Sequence, residues 1–157
     1  MTLQDPLTTL RDVDPEVLAR LRDGLADRAA SAGLLDLGYR TIDSPLGSLL
    51  LVASERGLTR IAFASQDHDR VLAELAAQVS PRILRAPGRL ERTARELDEY
   101  FTGTRRSFDL PLDLAATGEF RRTVQQLLPT IGYGRTISYT ELATLAGRPS
   151  AVRAAAS

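Results

Sequence analysis

The chain has 157 residues, with 20 basic residues, 20 acidic residues and one histidine, so it carries no net charge at pH 7. That balance excludes a wholly basic nucleic-acid coat, and any affinity for a polyanion must come from a local patch. There is no cysteine, which excludes disulfides, thiolate zinc clusters and a thiol nucleophile.

The length suits one ordinary domain or two small ones. The first residues lack a basic start followed by an apolar core, so they are not a signal peptide. No apolar run approaches the length that crosses a membrane. A cytoplasmic protein with no membrane contact is expected. All the basic residues are arginines, but Ala and Arg are both abundant throughout. That reads as compositional bias rather than selection for phosphate contact.

Residues 1–13 are polar and irregular, and predict a mobile segment. Asp14-Pro15-Glu16 is a helix start: a cap, a proline at the first position and an acid in the first turn. Val17, Leu18, Leu21 and Leu25 follow at helical spacing, Ala29 extends the stripe, and Gly33 ends it. The expectation is a helix laid on the following domain. From Leu37 the period changes. Tyr39 and Ile42, then Leu49–Val52, then Leu58, Ile61 and Phe63 form three short apolar segments. Ser44-Pro45-Leu46-Gly47 and Glu55-Arg56-Gly57 separate them, which predicts a three-stranded antiparallel meander.

A helix is predicted over Asp67–Val79, with Val71, Leu72 and Leu75 inward and Pro81 breaking it. Arg82-Ile83-Leu84 suits another strand. Leu90, Ala94, Leu97 and Phe101 space a further helix that Gly103 ends. Phe108–Leu112 reads as extended, with Pro111 forcing an edge. His68 lies between two acids at a helix start. A metal site needs several convergent ligands, so His68 reads as a solvated loop residue without a catalytic role. No metal site and no cofactor are expected.

The last quarter, from Thr117, reads as three short helices. It carries five basic residues and two acidic ones, a local excess of positive charge. Ser138 can cap the middle helix, and Glu141 completes a capping box. Leu142 and Leu145 are expected to face inward with Ala143 and Ala146 beside them. Gly147 stops that helix and Pro149 suits the first turn of the next. Two close helices with a Gly-containing turn are the raw material of a helix-turn-helix.

The same stretch carries a family resemblance. Its words are Phe120 with Val124, Ile131–Tyr139, Glu141-Leu142-Ala143, Gly147-Arg148-Pro149 and Ala151-Val152-Arg153-Ala154. In that order they resemble the DNA-binding part of the O6-alkylguanine-DNA alkyltransferases, the methylated-DNA–protein-cysteine methyltransferases. Tyr39-Arg40-Thr41, Ser44–Gly47 and Leu58–Phe63 resemble the same family's amino-terminal domain. Three positions depart from it: Gln125 stands where the family often has Trp, Gly132 where it often has Pro, and Arg148 where it often has Asn.

The resemblance implies an α+β fold. A ribonuclease H-like sheet-and-helix domain over residues 37–112 is followed by an incomplete winged helix-turn-helix-like DNA-binding domain over 113–157. Residues 1–36 form an extension with one helix. It implies a monomer that meets double-stranded DNA containing alkylated guanine and flips that base out of the stack. Tyr139 would press on the phosphate beside the target, and Arg153 would fill the vacated space. Thr140, Arg148 and Arg121 are further candidate DNA contacts, with Arg122 beside Arg121. The family's acceptor is the cysteine of a Pro-Cys-His-Arg segment, which this sequence does not contain, so no catalytic residue is assigned and alkyl transfer is not expected. The ending within an Ala-rich helix reads as a fragment rather than a natural shortened homologue. The alternative function is a non-catalytic damage binder or a helix-turn-helix regulator.

Overall fold

The computed structural model describes residues 14–115 and 117–155. The expectation for residues 1–13 lies outside them. The first part is a four-stranded sheet with helices, and the second part is helical. Helix α1 spans Pro15–Ser31, capped by the Asp14 carboxylate, which accepts from the Glu16 amide at 2.8 Å. Strands β1 (Leu37–Ile42), β2 (Leu49–Ala53) and β3 (Leu58–Phe63) form the antiparallel meander.

Helix α2 (His68–Gln78) then carries the chain across the sheet to β4 (Ile83–Arg85), which pairs parallel to β1. Parallel strands need such a crossover, since no hairpin can join them. The sheet order is β3-β2-β1-β4. A 3₁₀ turn over Pro87–Leu90 leads into α3 (Glu91–Phe101).

Strand β2 is buried along its whole length, and its period of two divides it between the faces. Leu49, Leu51 and Ala53 pack with Leu90, Ala94 and Leu97 at α3. Leu50 and Val52 pack with Leu37, Ala62 and Val71 on the α2 side. A continuous apolar run is what a strand covered on both faces requires. The inward residues expected of α2 pack here, with Leu72 and Leu75 against the same cluster.

Two expectations are corrected. Leu21 and Leu25 do not pack: they are 63% and 56% exposed. Helix α1 instead docks through Ala26, Ala29 and Ala30 against Leu35, Leu84 and Ala86. Small side chains permit close approach, so the contacting arc is the alanine side. Phe108–Leu112 carries no ladder of its own, in keeping with an edge at Pro111. Leu112 alone makes a parallel bridge with Leu58, held by Leu58 N–H to Pro111 O at 2.8 Å and Asp113 N–H to Leu58 O at 2.9 Å. His68 is not a solvated loop residue. It opens α2 half-buried, with its Nε2 shielded and without a hydrogen-bond partner.

Asp113 ties the junction to the sheet. Its carboxylate accepts from Ser54 Oγ at 2.5 Å, from Arg56 at 3.1 and 3.2 Å and from the Ala115 amide at 3.1 Å. The Ser54 hydrogen bond, with those from Ala115 and Arg56, holds this carboxyl below the usual range against the opposing effect of burial.

Candidate DNA-binding site

Helix α4 spans Glu119–Leu127 and runs into a 3₁₀ turn over Leu128–Thr130, where Pro129 removes the next helical donor. Its buried residue is Val124. Helix α5 (Tyr139–Leu145) follows a turn, and α6 (Val152–Ala155) comes after a second one. The three helices pack on one another. No strand occurs among the described residues after Leu112.

The start of α5 is built by reciprocal capping. Ser138 N–H donates to the Glu141 carboxylate at 2.7 Å, its hydroxyl donates to the same oxygen at 2.8 Å, and Glu141 N–H donates to Ser138 Oγ at 3.2 Å. Two donors left over by helix geometry are satisfied at once. The Ser138 amide and then its hydroxyl hold the Glu141 carboxyl below the usual range.

The end of α5 is a Schellman turn. Gly147 N–H reaches Thr144 O at 3.0 Å, Arg148 N–H reaches Ala143 O at 2.9 Å, and Gly147 sits at φ 74°. That left-handed geometry is where glycine carries no side-chain penalty. Leu142 and Ala143 are buried, but Leu145 is 63% exposed and does not face inward as expected. Helix α5 has 7 residues, about two turns, and buries one arc, which Leu142 with Ala143 occupies. Pro149 is not in the first turn of α6. It lies in the connecting turn, three residues ahead of Val152.

The candidate contact residues are all at the surface of this helical part. Tyr139 opens α5 with 56% of its surface exposed, and Thr140 follows it, also exposed. Arg153 is exposed on α6 beside half-buried Val152. Arg121 is exposed in the first turns of α4. Arg122 turns back on the junction, donating to Thr117 O at 3.0 Å and Ala115 O at 3.3 Å. Arg148 is exposed but lies over the Phe120 ring, 5.7 Å from its centroid, so it also clamps α4 to the α5–α6 turn. Gln125, where the family often has Trp, buries its Oε1 without a partner.

A second contact of this kind escaped the sequence reading. Arg106, in the loop after α3, lies 5.4 Å from the centroid of the Tyr133 ring. Among the described residues, no group of three or more His, Cys, Asp or Glu could hold a metal ion. No helix among them is long and apolar enough to cross a membrane.

Comparison with known proteins places both parts. Residues 37–114 match the 6-O-methylguanine DNA methyltransferase ribonuclease-like domain, and residues 119–157 match the DNA binding domain of the same family. A methylated-DNA–protein-cysteine methyltransferase of Mycobacterium bovis is 36% identical over 116 residues, covering 74% of this chain and 65% of the relative. The constitutive methylated-DNA–protein-cysteine methyltransferase of Bacillus subtilis is 34% identical, covering 74% of this chain and 67% of the relative. A crystal structure of the Mycobacterium tuberculosis O6-methylguanine methyltransferase superposes with a TM-score of 0.64 at 34% identity, covering 76% of this chain and 67% of that one. A structure of the Mycobacterium tuberculosis OGT in complex with DNA gives 0.61 at 35% identity, covering 76% and 66%. The chain thus spans about two thirds of the length of the relatives it matches. With both parts matched in order and relatives above 30% identity, the chain belongs to the methylated-DNA–protein-cysteine methyltransferase family.

Proposed function

We propose that this chain is the DNA-recognising portion of a repair protein for O6-alkylated guanine. The observation that carries the reading is the helical part of a matched DNA-binding family. It buries Val124, Leu142 and Ala143 and leaves Tyr139, Thr140, Arg148 and Arg153 at the surface. Double-stranded DNA is the partner, the protein acts as a monomer in the cytoplasm, and no cofactor is needed. The working division is an extension over 1–36, a sheet domain over 37–112 and the DNA-binding part from 113.

The damaged oxygen of guanine lies inside the duplex, so repair requires the base to leave the stack. Tyr139 presses on the backbone at the target, and Arg153 projects a long planar cation into the vacated space. Arg121, Arg148 and Thr140 fix the helices on neighbouring phosphates. The named relatives are methyltransferases that act between methylated DNA and a protein cysteine. This chain contains no cysteine, so it supplies recognition without the acceptor.

Incubation with duplex DNA carrying radiolabelled O6-methylguanine tests both points. Binding should be measurable by fluorescence anisotropy at low salt. Two arginines on phosphates predict a slope of log affinity against log salt of roughly −2. All label should stay on the DNA. Absence of duplex binding at low salt, or label fixed on the protein, overturns the reading.

A further inference from the structure

The loop leaving α3 is held rigidly. Thr104 N–H and Arg105 N–H both donate to Glu99 O, at 2.9 and 3.0 Å. Arg105 also donates to the Glu99 carboxylate at 2.7 Å and to Ser107 O at 2.9 Å. The Asp109 amide donates to the buried Glu96 carboxylate at 3.0 Å. The Phe108 ring rests 5.2 Å from Tyr100. Arg106 stands in the middle of this platform, with its guanidinium over Tyr133.

The turn that carries Tyr133 is built differently. Its backbone bonds are local, Ile131 N–H to Leu128 O at 3.1 Å and Arg135 N–H to Gly132 O at 3.0 Å. Gly134 takes φ 74°. Tyr133 itself is 63% exposed, and the turn ends at the Ser138 cap, directly before Tyr139. A well-anchored loop of the sheet part therefore grips a locally bonded turn of the helical part, six residues ahead of Tyr139.

We propose that Arg106 is a positioning residue: by holding Tyr133 it seats the 131–138 turn, and with it the start of α5, for duplex DNA. The inference rests on the DNA-binding reading above. Arg106 needs no contact with DNA in this role. Its cation is engaged with the ring, and its effect passes through the turn.

The test uses the whole chain and two measurements. Amide hydrogen exchange in the free protein reports the turn, and anisotropy titration with duplex DNA reports binding. Arg106→Ala and Tyr133→Leu should each reduce protection at Arg135 and weaken DNA binding by roughly two- to five-fold, the range of an exposed cation over a ring. The double variant should be no worse than either single one. Tyr133→Phe keeps the ring and should match the unaltered chain, and Arg106→Lys should recover part of the loss. Additive losses in DNA binding, with exchange unchanged, would place Arg106 on a phosphate and overturn the proposal. If the unaltered chain binds no duplex DNA, the DNA-binding reading fails, and exchange alone decides whether Arg106 seats the turn. Unchanged protection at Arg135 in Arg106→Ala then overturns it, and reduced protection supports it.

Discussion

Ser138 and Glu141 hold each other across the first turn of α5, through an amide at 2.7 Å, a hydroxyl at 2.8 Å and a returning amide at 3.2 Å. Tyr139 is the next residue after this cap, so the cap fixes where the ring begins.

Removing the cap should loosen that start. Ser138→Ala should cost about 1 kcal/mol of stability. The pH dependence has a definite sign. The Ser138 amide and hydroxyl lower the folded carboxyl of Glu141. Its contribution is therefore present above the ordinary glutamate pKa and is lost as pH falls through the lowered folded value. Thermal melts from neutral pH into the acid range should show a smaller acid-side loss in Glu141→Gln than in the unaltered chain. Equal acid-side losses would sink the assignment.

Two glycine positions should respond in opposite directions. Gly57 sits at φ 146°, and a Cβ there would lie 2.3 Å from Pro111 O and 2.5 Å from the Pro111 carbonyl carbon. Gly57→Ala must push the 111–113 segment off Leu58 and break the bridge, at a cost of roughly 2–4 kcal/mol. Gly24 lies within α1, and a Cβ there would meet nothing within 4 Å. Gly24→Ala should stabilise by about 0.5–1 kcal/mol through helix propensity. Urea unfolding of both variants checks the pair.

Glu96 is a buried carboxylate at 2% exposure, and it organises the loop that carries Arg106. Burial pushes its carboxyl up. The Asp109 amide, the Arg92 guanidinium and the Arg105 charge outweigh that and leave it below the usual range. Glu96→Ala should cost roughly 1–3 kcal/mol, since the Asp109 amide and Arg92 lose their acceptor and Arg105 loses its ion-pair partner. It should also raise exchange at Asp109. A variant as stable as the parent would mean that solvent replaces the carboxylate freely.

The parts of the fold legible in the sequence are those written in local pattern. The apolar run Leu49–Val52 announces the middle strand of the meander, and Ser138 with Glu141 and Gly147 announces both ends of α5. The missed features are relations between distant segments. Helical spacing in α1 gave a stripe, but only the neighbours Leu35 and Ala86 determine that the alanine side docks and Leu21 and Leu25 face solvent. Leu145 was misplaced for the same reason. Arg148 on Phe120 and Arg106 on Tyr133 join segments about 27 residues apart, and no short-range period encodes such a stack. The roles given to Tyr139 and Arg153 came from ordered family words, since Arg153 alone on an Ala-rich helix reads as a solvated cation.

Tyr139 and Arg153 should contribute differently to drawing a base out of the duplex. A duplex with 2-aminopurine at the target position brightens when that base unstacks, so fluorescence and anisotropy together separate extrusion from binding. Arg153→Ala removes the group that fills the vacated space. Unstacking costs a few kcal/mol, and loss of the plug should return a comparable share. The extruded fraction should then fall by roughly one to two orders of magnitude, while overall affinity falls far less, because Arg121, Arg148 and Thr140 still hold the phosphates. Tyr139→Phe keeps the ring and loses one hydroxyl contact, so its effect should be on the order of 1 kcal/mol. Tyr139→Ala should be worse, because the ring's bulk is what presses on the backbone. Both residues are exposed, so neither truncation should change the melting temperature much. If Arg153→Ala leaves the fluorescence unchanged, or lowers stability as much as it lowers extrusion, Arg153 is a structural residue and the DNA face lies elsewhere.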